Sequence, residues 1–239
     1  YSEFREQMTA EVTAACEGAL QAGSTEIWVK DAHSTARNLI ASRLPREVRL
    51  IRGWSGHPFL MVQELDESFQ ALLMIGYHSR AGSAANPLAH TVSGNIARLK
   101  INGRDASELQ MYAYAAALIN VPLVFVSGDK GVCEEAASLI PNIATLAVKH
   151  GAGNATVNIH PHLAVEKIRD GVQNALHQRD VTKCRLSMPE HFTVDITYKD
   201  HAMARKASFF PGAVSTHPHT IRFESNDYFE VLRLFAFVI

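Results

Sequence analysis

Apolar positions along the chain fall by turns into short continuous runs and helical spacing, the pattern of strands and helices in succession. In residues 1–20, Phe4, Met8, Val12, Cys16 and Leu20 recur every four positions with acids and glutamines between them, which predicts an amphipathic helix. Strands are predicted at 25–30 (TEIWVK), 48–52 and 71–76 (ALLMIG), with a poor helix at 64–70 ahead of the last. Residues 97–101 (ARLKI) alternate and stop at Asn102-Gly103, a dipeptide favoured in two-residue hairpin turns. A helix at 107–119, a buried strand at 122–126, a helix at 130–139 and a strand at 143–148 follow. Pro161 suits the first turn of a longer helix at 161–178. The pattern then repeats on a smaller scale, with a strand at 192–198 (FTVDITY), a helix at 202–209, a strand at 220–223 and an apolar helix at 227–238.

Such alternation predicts an α/β fold, with a mostly parallel sheet flanked by helices. It divides into a main α/β domain at 1–186, which would carry any active site, and a small α+β lobe at 187–239. An α/β unit usually opens on a central strand, whereas residue 1 falls inside a helix, so a further strand is expected upstream of Tyr1.

Composition narrows the function classes. Twenty-three Lys+Arg against 24 Asp+Glu leave a net charge of -1, unlike a protein that tracks nucleic-acid phosphates. No apolar run approaches the roughly 18 residues of a membrane span. Cys16, Cys133 and Cys184 are odd in number and far apart, so they form neither a disulfide framework nor a thiolate metal site. With no basic-then-apolar leader in sight, the expected location is cytoplasmic. The unusual figure is 12 His, more than the 11 Phe or 6 Tyr, which turns attention to imidazole chemistry.

Two histidines stand just past predicted strands: His33 after TEIWVK and His78 after ALLMIG. Ligands of parallel α/β sheets gather at the carboxyl ends of strands, so these positions can converge although 45 residues separate them. The stretch at 78–95, HSRAGSAANPLAHTVSGN, is long, small-residue-rich and polar, as functional or mobile loops are, and carries His90. Glu108 opens the next helix. Two histidines and a carboxylate make a standard set for a catalytic zinc. Each residue also has an ordinary reading: a loop histidine can simply hydrogen-bond at the surface, and Glu108 can close a capping box begun by Asp105.

Other features are weaker. Gly151-Ala152-Gly153-Asn154-Ala155-Thr156 starts like a dinucleotide fingerprint but runs into β-branched residues and Pro161 rather than a helix. His160-Pro161-His162 and His217-Pro218-His219 look like metal pairs, yet their prolines place them in solvated loops. Asp129 is expected to cap the following helix, Cys133 to be a small packed residue, and Trp28 and Trp54 to lie in the core or at its rim.

Taken together, K-D-A-H-S at 30–34, MVQELDESF at 61–69, G-Y-H-S-R-A at 76–81 and A-H-T at 89–91 resemble the zinc-dependent D-aminopeptidases, also called the dipeptide transport protein family. I-N-G-R…S-E-L at 101–109, N-V-P-L-V…S-G-D at 120–129, L-I-P-N at 139–142 and Phe-Pro-Gly at 210–212 extend the resemblance over nearly the whole chain in the same order. It implies an α/β fold, a two-zinc site, removal of N-terminal residues from short peptides with D-amino acids, and ring-shaped homo-oligomers. By the same resemblance His33, His78 and Glu108 correspond to zinc ligands and His90 to the catalytic nucleophile. The family's Asp-x-Glu-Gly motif, which supplies a metal-bridging carboxylate, has no match in the sequence and is expected on the upstream strand. Two competing readings are a non-catalytic peptide-binding scaffold on the same fold and another metal-dependent amidohydrolase or phosphoesterase. The last would call for a Gly-rich anion cradle or clustered basic residues, and the 78–95 loop has only Arg80.

Overall fold

A computed structural model of the chain describes residues 2–177 and 180–239. Tyr1 and Gln178, the outer ends of two expected helices, lie outside the described residues. The first helix, α1 (Ser2–Gln21), packs against α4 (Pro161–His177). The face it buries is made mostly of small residues rather than of the large ones that mark the expected stripe. Thr9, Ala14, Ala15, Gly18 and Ala19 are buried with Cys16, whereas Phe4 is 72% exposed. Small residues let two helices approach closely: a Cβ on Gly18 would meet the Arg169 carbonyl oxygen at 2.3 Å. Spacing of large apolar residues does not register such a face.

Strands β1 (Ile27–Lys30) and β2 (Val48–Ile51) form a parallel pair. The expected helix at 64–70 is instead irregular, preceded by a 3-10 turn at Leu60–Val62. A four-stranded sheet runs in the order β3 (Leu72–Tyr77), β6 (Leu123–Asp129), β7 (Ala144–Ala152), β8 (Ala155–Asn158). Its first three strands are parallel and β8 is antiparallel to β7. The glycine-rich stretch at 151–156 is the turn of that β7–β8 hairpin, so no helix opens there and the dinucleotide reading falls.

The third sheet is antiparallel, in the order β10 (Val214–His217), β11 (Thr220–Ser225), β9 (Phe192–Tyr198), β4 (Ile96–Ile101), β5 (Arg104–Asp105). The fold is thus α/β, but its sheets are mixed rather than mostly parallel. The reason is local: Asn102 and Gly103 both have positive φ (51° and 77°), which turns β4 back into β5 as a tight hairpin. β4 then pairs with β9, so the residue-187 boundary does not coincide with the edge of a sheet.

α2 (Glu108–Leu118) is buried from Glu108 through Ala116 and in contact with β3, α3 (Lys130–Leu139) and α6 (Tyr228–Val238). α6 turns Tyr228, Val231, Leu232, Leu234 and Phe235 inward and leaves Phe237 exposed. No described helix is long and apolar enough to cross a membrane.

β3 and β6 are aligned so that Tyr77 sits opposite Gly128 at their carboxyl ends. A Cβ on Gly128 would come within 2.1 Å of the Tyr77 carbonyl oxygen, which is backbone and cannot rotate away. Gly128→Ala is therefore expected to cost about 1–3 kcal/mol or more, the range for overpacking. Thermal melting checks this: a loss of several degrees is expected, and an unchanged midpoint would refute the close contact.

Candidate metal centre

The carboxyl ends of β3 and β6 meet α2 at its amino end, and three side chains converge there. His78 follows β3 directly. Glu108 is the first residue of α2, whose cap is Ser107, its hydroxyl accepting from the Gln110 N–H at 3.3 Å. Glu108 therefore does not close a capping box begun by Asp105, which instead binds Arg80 and Arg98. His90 comes from the long connection between β3 and β4. One ligand atom from each of His78, His90 and Glu108 lies within 4.8 Å of those of the other two. His78 Nε2 is 3.7 Å from Glu108 Oε2, and His90 Nε2 is 3.9 Å from Glu108 Oε1. The imidazoles stack, with centroids 4.3 Å apart and planes 30° from parallel.

Both rings are oriented by their other nitrogen. His78 Nδ1 lies 3.0 Å from the Ser79 carbonyl oxygen and His90 Nδ1 2.8 Å from that of Leu88. A carbonyl only accepts, so Nδ1 donates in both and the Nε2 atoms face Glu108. Metal-ligating histidines are held in this way by carbonyl or carboxylate partners. Ligand atoms around a tetrahedral zinc stand about 3.3 Å apart, so His78 Nε2 and Glu108 Oε2, at 3.7 Å, are near the spacing the ion needs, whereas the cluster as a whole spreads over up to 4.8 Å. The donor set fits a zinc.

Polar residues inside the fold hold the 78–95 connection. Asp129, fully buried, accepts from the Ser79 N–H and hydroxyl and from Asn86 Nδ2. It also caps α3 through the Val132 N–H, as expected. Thr91, also fully buried, accepts from the Ala81 N–H at 3.0 Å. Val92 has a φ of 59°, a strained backbone for a β-branched residue, and its N–H donates to Glu108 Oε1 at 2.6 Å. On the other side, Ser107 donates to Glu135 Oε1 at 2.7 Å, tying the amino end of α2 to α3. Burial raises the Glu135 carboxyl above its ordinary range, against the lowering effect of that hydrogen bond. Burial first, and then the Glu108 charge, push the Tyr77 and Tyr112 phenols well up, so neither ionises near neutral pH.

His33 lies outside this cluster. It is exposed, in the turn after β1, and its carbonyl accepts from Ala36 N–H and Asn38 Nδ2. Buried Asp31 shapes that turn by accepting from the Asn38 and Leu39 N–H groups, and Ser34 and Ala36 there have positive φ. Neither H-P-H pair belongs to a metal-binding group among the described residues: His160 and His162 are at the start of α4, and His217 and His219 at the β10–β11 turn. Cys133 is buried, its thiol pushed up to about 11 by burial and by Asp129, as expected of a packed residue. Trp54 is a rim residue, 40% exposed, with Lys30 4.0 Å from its ring centre. Arg80, which a phosphoesterase would need for its substrate, is instead 3.1 Å from Asp105.

The family model described as D-aminopeptidase matches residues 1–237. The chain belongs to the D-aminopeptidase family. It is 33% identical over 232 residues to a D-aminopeptidase of Bacillus subtilis (strain 168), a match covering 96% of this chain and 84% of that protein. It is also similar to the solved structure of the Zn-dependent D-aminopeptidase DppA from Bacillus subtilis, described as a self-compartmentalizing protease. That likeness has a TM-score of 0.89 at 32% identity, covering 97% of this chain and 84% of the other. The expected family and the expected class, a peptide hydrolase of α/β fold, both stand. Zinc, the metal expected from the sequence, is the one on which the solved relative depends, and His78, His90 and Glu108 form a cluster suited to it.

Proposed function

We propose that this chain is a zinc-dependent aminopeptidase that removes N-terminal residues, D-amino acids among them, from short peptides. The observation that carries this reading is the meeting of His78, His90 and Glu108 at the end of β3, with both Nε2 atoms facing the carboxylate. His78 and Glu108 are assigned as ligands of one zinc. His33, in its own ordered turn, is assigned to the second zinc that the family resemblance implies. His90 is the catalytic group, as nucleophile or general base. Zinc, when bound, supplies a Lewis acid that polarises the scissile carbonyl and lowers the pKa of bound water.

The residues of the chain do the rest. The Leu88 carbonyl engages His90 Nδ1, which leaves Nε2 as the ring nitrogen that would take a proton or attack a carbonyl carbon. The His90 side chain is more exposed than that of His78 or Glu108, which leaves room for a peptide to reach it from solvent. Exposed Phe4, Leu88, Phe209 and Phe237 offer apolar surface for a homo-oligomeric ring, and a cytoplasmic setting completes the proposal.

The test is amine release from dipeptides with D- or L-residues at the amino end, by zinc-loaded protein and after chelation. Release that favours D-residues, stops on chelation and returns with zinc is expected. A zinc-loaded protein that releases no amine from any of them would refute the proposal.

A further inference from the structure

We infer that Asp129 is a positioning residue for this centre, orienting both imidazoles through two separate hydrogen-bond chains while touching neither. The inference rests on the metal reading above and deepens it. The first chain is short. Asp129 Oδ2 accepts the Ser79 N–H at 2.7 Å and Oδ1 accepts the Ser79 hydroxyl, and the Ser79 carbonyl holds His78 Nδ1 at 3.0 Å. The second is longer. Asp129 Oδ2 accepts from Asn86 Nδ2 at 3.0 Å, Asn86 Oδ1 accepts the Leu88 N–H at 2.9 Å, and the Leu88 carbonyl holds His90 Nδ1 at 2.8 Å. One buried carboxylate is thus the common root of both ring orientations.

The surroundings are shaped to keep this arrangement. A Cβ on Gly131 would meet Ser79 Oγ at 2.4 Å and Ala85 Cβ at 2.6 Å. One on Gly151 would meet the Ala85 carbonyl oxygen at 2.7 Å, the same oxygen that accepts the Gly151 N–H. The segment at 79–86 therefore sits in a socket whose floor is Asp129 and whose walls are two glycines. Burial raises the Asp129 carboxyl, but its hydrogen bonds outweigh that and hold it below the ordinary range, so the root of both chains is an anion at neutral pH. Hydrogen bonds to an ionised acceptor are about twice as strong as neutral ones. An asparagine in its place would turn an N–H₂ toward the donors of Ser79 and Asn86, or force Asn86 to flip and release Leu88.

The experiment measures Co²⁺ binding, through its visible absorption, and peptide turnover in Asp129→Asn, Ser79→Ala and Asn86→Ala. Ile196→Val, a truncation in the β9 core, serves as the reference for a purely structural loss. Asp129→Asn is expected to raise the Co²⁺ dissociation constant by about 10-fold or more, the scale for losing a partner that orients a ligand, with an altered absorption band. Ser79→Ala, which keeps the backbone bond, is expected to shift metal binding in the same direction by less. Asn86→Ala is expected to keep Co²⁺ affinity near that of the parent and to lower kcat at constant KM, because only the His90 chain is cut.

Parental affinity and spectrum in Asp129→Asn, or a change no larger than that of Ile196→Val, would overturn the inference. So would identical behaviour of Ser79→Ala and Asn86→Ala. Should Asp129→Asn fail to fold, the split between those two variants decides: a split upholds the two chains and its absence removes them. A parent protein that binds no Co²⁺ would instead refute the metal reading, and this inference with it.

Discussion

Replacing His90 with alanine is expected to lower peptide turnover by about 10²-fold or more, the usual scale for a lost acid–base group, while the protein keeps its zinc. The rationale is positional. His90 is held through Nδ1 by Leu88 and presents Nε2 beside Glu108, 3.9 Å from Oε1, from a connection rather than from the end of a strand. Its side chain is 39% exposed against 7% for Glu108, so it borders the space a substrate must enter. If it were instead a third ligand of the same ion, zinc content would fall together with turnover. If it were a solvated loop histidine, neither would change. Zinc content and turnover measured on this one variant separate the three outcomes.

Glu108→Ala should be more damaging to metal binding than any other single change. The carboxylate is the one anionic member of the cluster, is nearly buried, and lies within 4 Å of both imidazoles. Its removal is expected to weaken zinc binding by more than about 100-fold, beyond the range for losing an outer partner of a ligand, and to abolish turnover with it. Because Glu108 Oε1 also accepts the Val92 N–H, alanine releases the strained backbone next to His90 as well. Glu108→Gln separates these effects. It retains an oxygen for Val92 but removes the charge, so it should keep the melting temperature and still lose zinc, as titration calorimetry of the two variants can establish. Undiminished zinc affinity in Glu108→Gln would exclude the carboxylate as a ligand.

Residues that follow strands were legible as candidates because strand ends are easy to see in the pattern. His78 after β3, Glu108 at the start of α2 and His90 between them needed only local signals, and they converge. The same rule groups His33 with them, but it stands after a different sheet: among the described residues β1 pairs only with β2, and that pair is not hydrogen-bonded to the sheet that carries His78. The mixed sheet order was hidden for a related reason. Alternating elements suggest parallel crossovers, but the Asn102-Gly103 hairpin sends β4 into an antiparallel sheet with β9, a pairing set by contacts nearly a hundred residues apart.

Asp129 illustrates the deeper limit. Its role as the cap of α3 is written in the three residues that follow it. Three of its four hydrogen bonds go to Ser79 and Asn86, which lie 50 and 43 positions upstream, and no local pattern announces them. Val92 is similar, since a valine at positive φ has no sequence signature. α1 stands where the spacing predicts it, but large residues such as Phe4 do not mark the small ones that form its contact with α4.

The central claim is that His78 and Glu108 hold a zinc at the carboxyl end of β3 beside His90. The most direct measurement is a zinc-edge anomalous difference map from crystals of the zinc-loaded protein. A peak is expected about 2.0–2.2 Å from His78 Nε2 and from a Glu108 carboxylate oxygen. A map with no peak between these residues, or with its peaks only at the His160-Pro161-His162 or His217-Pro218-His219 turns, would contradict it.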